Sequence, residues 1–235
     1  MQIADRKNGI EAHRTHRAGW LRAAVLGSND GLVSTASLMI GIVSAGKNEL
    51  VLTAGVAAIV AGAMSMAVGE YVSVKSQNDI EKSDREMEIK QLADDPKGEL
   101  EELTQIYQSR GISRSLAEQV AKELHQHNAL EAHLRDELGQ HDATKARPMQ
   151  AAIASALSFT AGGLVPFLGA FAPTLGGKAL SIIATTFIGL IIAGIISAKT
   201  AGAGIGRTTL RIVIGGALGM SITALVGQIA NLSGI

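Results

Sequence analysis

Two carboxylic acids interrupt otherwise apolar stretches of this chain: Asp30, in Gly27-Ser28-Asn29-Asp30-Gly31, and Glu70, in Met64-Ser65-Met66-Ala67-Val68-Gly69-Glu70-Tyr71. An ionised carboxylate inside a bilayer is costly unless it is paired or lines a hydrated path, so such a residue points to ion or proton traffic. Neither stretch carries a Lys or Arg near its middle. The plainer alternative is that both acids sit near helix ends, within reach of water and of Arg22 or Lys75. Met66 stands four residues before Glu70 and shares its helical face, whereas Met64 points elsewhere. A thioether beside a carboxylate suits a borderline divalent ion such as Fe²⁺ better than Mg²⁺ or Ca²⁺. Methionine in an apolar helix is otherwise ordinary packing.

A second group lies between residues 76 and 148, where 16 acidic and 10 basic residues leave little apolar continuity. Asp84 and Glu88 are four apart, Glu99 and Glu102 three apart, and His133 and Glu137 four apart, so each pair shares a helix face. Carboxylates and an imidazole converging from several helices make an oxygen-rich site for divalent metals. The competing reading of any charge run is a solvated face. His125, His127 and His141 read as surface residues.

The composition excludes several other chemistries. With no cysteine there is no disulfide framework, thiolate metal site or cysteine nucleophile. No Glu stands three residues before a His, as a di-metal carboxylate enzyme of the bundle type requires. Gly202-Ala203-Gly204-Ile205-Gly206 lacks the strand and Lys of a phosphate loop. The 21 Lys and Arg balance the 21 Asp and Glu, which argues against a nucleic-acid partner. The sequence therefore reads as a non-enzyme with no prosthetic group.

The elements that must position these residues follow from the apolar patterning. The chain of 235 residues is 47% hydrophobic with 27 glycines, and its mean hydropathy is +0.25. From Met149 onward there is no Asp or Glu, and the only cations are Lys178, Lys199, Arg207 and Arg211. A bilayer core needs roughly 20 apolar residues as a helix. Five runs qualify, at 23–46, 50–74, 151–173, 179–201 and 208–230, and none alternates as a barrel strand would. The fold class expected is an all-α membrane protein with five transmembrane helices and a cytoplasmic helical metal-binding module between spans 2 and 3. Its parts are a basic amphipathic amino-terminal segment (1–22), spans 1 and 2 (23–75), the acidic module (76–148) and spans 3 to 5 (149–235).

Lys and Arg near span ends place the amino terminus and the module in the cytoplasm and the carboxyl terminus outside. No cleavable signal peptide is expected, since about 20 polar residues precede a first run too long for one. Residues 10–21, with His13, Arg14, His16, Arg17 and Trp20, suit a helix on an anionic leaflet of the lipid bilayer, or a solvated lead-in. Gly55, Gly62 and Gly69 recur every seven residues, which predicts close helix packing in a bundle or dimer. Pro166 and Pro173 predict a break or kink and an end in span 3.

The string from Trp20 to Thr35, WLRAAVLGSNDGLVST, and that from Ala63 to Ser73, AMSMAVGEYVS, followed by a charged module and three Gly-rich spans, resemble the vacuolar iron transporter family. The resemblance covers nearly the whole chain and looks closest to the bacterial and nodulin-like branch. It implies a homodimer of five-span subunits that moves Fe²⁺, and often Mn²⁺, out of the cytoplasm in exchange for protons, here across a bacterial inner membrane. The transport path would carry Asp30, Met66 and Glu70. The module ligands would be Glu88, Glu99, Glu102, His133 and Glu137. Ala23 and Ala58 stand where vacuolar members carry acids, Glu70 where they often carry Gly, His133 where they carry Met, and Gln91 where they carry a further acid. A membrane-anchored metal buffer without transport is the alternative, and the intramembrane acids Asp30 and Glu70 discriminate against it.

Overall fold

The computed structural model describes residues 18–140, 147–171 and 177–233. The amino-terminal basic segment up to Arg17, His141 and Pro173 lie outside the described residues, as does the side chain of Trp20. Among the described residues there are seven helices and no strand: α1 (Ala18–Ser44), α2 (Val51–Asp94), α3 (Pro96–Ser109), α4 (Arg114–Asp136), α5 (Pro148–Phe171), α6 (Lys178–Ala201) and α7 (Ile205–Leu232). The described residues divide into two compact units, one holding 73–140 and the other 18–72, 148–171 and 177–233. α2, 44 residues long, gives its apolar part to the second and its charged part to the first.

In the apolar unit, α1 packs against α5, α6 and α7. Glycine allows the close approach: a Cβ at Gly31 would collide with the Phe159 carbonyl, and one at Gly162 with the Ser28 carbonyl. α2 meets α5 differently, through aromatic rings seated on small residues. Phe167 lies over Gly55 and Phe159 over Gly62, while Gly69 has nothing within 4 Å. The expected glycine stripe thus splits, with two positions receiving rings of the same chain and the third facing open space. Met39, Ile40, Val51, Ile59, Phe167, Ile182 and Met220 form the core.

The outer faces are apolar. Val60, Met64 and Val68 of α2, Leu157 and Leu164 of α5, Ile188 and Ile192 of α6, and Leu218 and Ile222 of α7 are all exposed. A surface of that kind requires lipid as its solvent. α2, α5, α6 and α7 are long and apolar enough to cross a membrane. α1, expected as span 1, has the length at 27 residues. Its Ser28, Asn29 and Asp30 lower its hydropathy, and its Thr35, Ala36, Ser37 and Met39 are buried within the bundle. α5 continues through Pro166, whose side chain is fully buried, so the predicted interruption does not break the helix.

In the charged unit, α3 packs against α4, which bends at Asn128. Leu100, Leu103 and Tyr107 of α3 pack against Ala121, Leu124 and Ala132 of α4. Asp95 caps α3, its carboxylate accepting the Gly98 N–H at 2.9 Å, and Pro96 follows at the first helical position, where its missing N–H costs nothing.

Candidate metal centre

Three helices of the charged unit deliver four of the predicted ligands to one point. Glu88 comes from the charged part of α2, Glu99 from the first turn of α3, and His133 from the last turn of α4, with Glu137 at its C-cap. His133 is fully buried, and Glu88 and Glu99 are 2% and 7% exposed. The His133 Nδ1 lies 3.2 Å from Glu88 Oε1, 3.6 Å from Glu99 Oε2 and 3.2 Å from Glu137 Oε2. Donor atoms of Glu88, Glu99 and His133 all fall within 4.8 Å of one another, a separation one ion can bridge.

The cluster is short of positive charge. One imidazole nitrogen carries at most one proton, and the hydrogen bond it makes is to Glu137. Glu88 Oε1 and Glu99 Oε2 are buried without any hydrogen-bond partner. Leaving two carboxylate oxygens so placed is expensive unless a cation joins them. Burial pushes the Glu88 carboxyl above the usual range, as do Glu137, Glu99 and Glu102, while His133 pulls the other way. Burial likewise raises Glu99, aided chiefly by Glu102 and opposed by His133. A hard or borderline divalent ion with oxygen and imidazole ligands fits this donor set.

Glu102 does not enter the cage. It is exposed on α3 and acts on Glu88 and Glu99 through its charge. Gln91 is also exposed.

Two features not anticipated from the sequence hold the site. Tyr107 and Arg110 of α3 reach Asp136 of α4: the Tyr107 hydroxyl donates to Oδ2 at 2.8 Å, and Arg110 donates to Oδ1 at 2.8 Å and to the main-chain oxygen at 2.7 Å. Burial alone would raise Asp136, but hydrogen bonds from Arg135, Arg110 and Tyr107 hold it well below the ordinary carboxylate range. This clamp fixes the last turn of α4, from which His133 and Glu137 project. The second feature is His125, read as a surface residue but half-buried, with its Nε2 3.3 Å from His133 Nε2. Burial and then the charge of His133 push its pKa down.

The predicted path residues lie in the apolar unit. Glu70 has a side chain only 13% exposed, with Arg22 3.9 Å away and Oε1 without a hydrogen bond. Met66 is half-buried one turn earlier on α2. Asp30 is exposed on α1, and its carboxylate has no hydrogen-bond or ion-pair partner among the described residues.

The VIT family model matches residues 21–228, nearly the whole chain. The chain belongs to the VIT family. It is 43% identical over 215 residues to the vacuolar iron transporter of Acanthamoeba castellanii, covering 91% of this chain and 80% of that protein. It is 36% identical over 221 residues to vacuolar iron transporter homolog 1 of Oryza sativa subsp. japonica, covering 93% and 77%. Against vacuolar iron transporter homolog 3 of Arabidopsis thaliana it is 36% identical over 209 residues, covering 88% and 81%. The family resemblance of the Trp20–Thr35 and Ala63–Ser73 strings is thereby borne out, and this VIT-family chain is an all-helical membrane protein.

Proposed function

We propose that this protein transports a divalent metal, Fe²⁺ and also Mn²⁺, out of the cytoplasm in exchange for protons. The observation that carries the reading is the buried Glu88, Glu99, His133 and Glu137 cluster with its two unsatisfied carboxylate oxygens, in a chain of a family whose relatives are named iron transporters. The cluster collects the ion in the cytoplasmic module (76–148), with Glu102 adding negative potential. Asp30, Met66 and Glu70 then partly dehydrate it at the entrance to the membrane path. A carboxylate must lose its proton to bind metal, so ion and proton compete for one group, which is the physical basis of exchange. α1 serves as the fifth span, the working form is a homodimer, and the role is transport rather than catalysis in a bacterial inner membrane. Asp30, exposed on α1 with no hydrogen-bond or ion-pair partner among the described residues, has no purpose in a mere anchor.

The test is ion uptake into proteoliposomes with and without an imposed pH gradient, for Fe²⁺, Mn²⁺ and Zn²⁺. Gradient-driven Fe²⁺ uptake that is lost in Asp30→Asn supports the exchanger. Metal binding with no flux under any gradient moves the reading to a membrane-anchored buffer.

A further inference from the structure

We propose that His125 is the positioning partner of His133, selecting the tautomer in which His133 presents its Nδ1 lone pair to the metal. The inference rests on the metal-collecting reading above and concerns how that site engages its ion.

The geometry is unusual for two residues eight apart on one helix, which a straight helix would separate by ~12 Å along its axis. α4 is not straight. Asn128 has extended backbone angles, φ −163° and ψ 89°, between two helical segments. Its Oδ1 accepts the Glu131 N–H at 3.1 Å and its Nδ2 donates to Glu131 Oε2 at 3.0 Å, a reciprocal cap that starts the second segment. This bend lets His125 and His133 meet with Nε2 atoms 3.3 Å apart. Their ring centroids are 5.4 Å apart and the planes tilted by 58°, so the rings touch corner to corner rather than stack.

A neutral imidazole has one N–H and one lone pair, so across this contact one ring donates and the other accepts. When His125 donates, His133 keeps its proton on Nδ1 and gives it to Glu137 Oε2 at 3.2 Å. When His133 donates from Nε2, its Nδ1 is bare and faces Glu88, Glu99 and Glu137, an arrangement that only a cation among them makes favourable. The same Nε2 contact serves both arrangements: the ion displaces the His133 Nδ1 proton to water, the His125 Nε2 proton passes across the contact to His133 Nε2, and His125 takes up one proton from water at Nδ1, so both rings stay neutral. Metal-bound histidines are held this way by a partner on the far nitrogen. A side chain that only donates, or does neither, cannot follow the change.

The experiment uses the full-length protein in detergent, titrated calorimetrically with Mn²⁺, together with ¹⁵N-histidine spectra of the protein loaded with diamagnetic Zn²⁺. His125→Leu is expected to weaken Mn²⁺ binding roughly 10- to 100-fold, while His125→Gln, which offers both an acceptor and a donor, stays within a few fold of the unaltered chain. The Zn²⁺ spectrum should show His133 bound through Nδ1 and protonated at Nε2. Unchanged binding by the Leu variant, equal loss in the Gln variant, or coordination through Nε2 would each overturn the inference while leaving the metal-collecting reading intact. An unaltered chain that takes up no Mn²⁺ would overturn both.

Discussion

Glu88 Oε1 lies 3.2 Å from His133 Nδ1, yet it accepts no hydrogen bond, and both residues are buried. A contact of that kind is a compromise made for a third participant. Glu88→Gln is therefore expected to act in opposite directions on stability and on binding. Replacing a buried, unpaired carboxylate by a neutral amide should raise the melting temperature of the metal-free protein. The stabilisation that Mn²⁺ gives the unaltered chain should be lost. Thermal melts with and without Mn²⁺ check both signs.

The raised carboxyls of Glu88 and Glu99 set a pH dependence. A group whose folded pKa is raised contributes stability that is full below its unfolded value, about 4.3 for Glu, and lost as pH rises through the folded value. The metal-free module should thus weaken as pH climbs through that window. Metal binding needs both groups ionised, so affinity should increase over the same window. Melts across pH, with and without Mn²⁺, should diverge as pH rises; parallel curves would contradict the arrangement.

The Arg110–Asp136 clamp positions the site without belonging to it. Asp136→Asn should destabilise the module by on the order of 1–2 kcal/mol, the low side for charged hydrogen bonds because solvent screens the half-exposed Arg110. The depressed Asp136 carboxyl gives its contribution above its unfolded value, about 3.9, and loses it only as pH falls through the lower folded value. The defect should therefore be full at neutral pH and shrink in strong acid. Mn²⁺ binding should weaken modestly, since no ligand is removed.

Gly62 and Gly69 separate two uses of one glycine spacing. A side chain at Gly62 would enter the space of the Phe159 ring, while at Gly69 it would meet open space. Gly62→Val should lower thermal stability by about 1–3 kcal/mol through overpacking, and Gly69→Ala should leave it unchanged or slightly raised. Equal effects at the two positions would contradict the seating of α2 on α5.

The apolar helices were legible because long apolar runs can satisfy their backbone in lipid only as helices. Spacings of three and four residues paired Asp84 with Glu88, Glu99 with Glu102 and His133 with Glu137 on shared faces, and the family resemblance singled out Glu88, Glu99, Glu102 and Glu137 as ligands. The spacing rule gives a shared face and not its burial. It grouped Glu102 with Glu99, although only Glu99 turns inward. His125 was hidden because no straight-helix rule connects it to His133. The signal was present in Asn128-Ala129-Leu130-Glu131, a capping pair in mid-helix that marks the bend. The Arg110–Asp136 clamp bridges 26 residues, and no local pattern announces it.

The most direct test of the central claim, that the module loads ions into a path containing Asp30, is the initial rate of Fe²⁺ entry into proteoliposomes under a pH gradient as ion concentration is raised. The unaltered chain is compared with Glu99→Gln and Asp30→Asn. Glu99→Gln should be slow at low Fe²⁺ and recover at high Fe²⁺, because it impairs collection alone. Asp30→Asn should be slow throughout. Rates equal to the unaltered chain in both variants at every concentration would contradict the account.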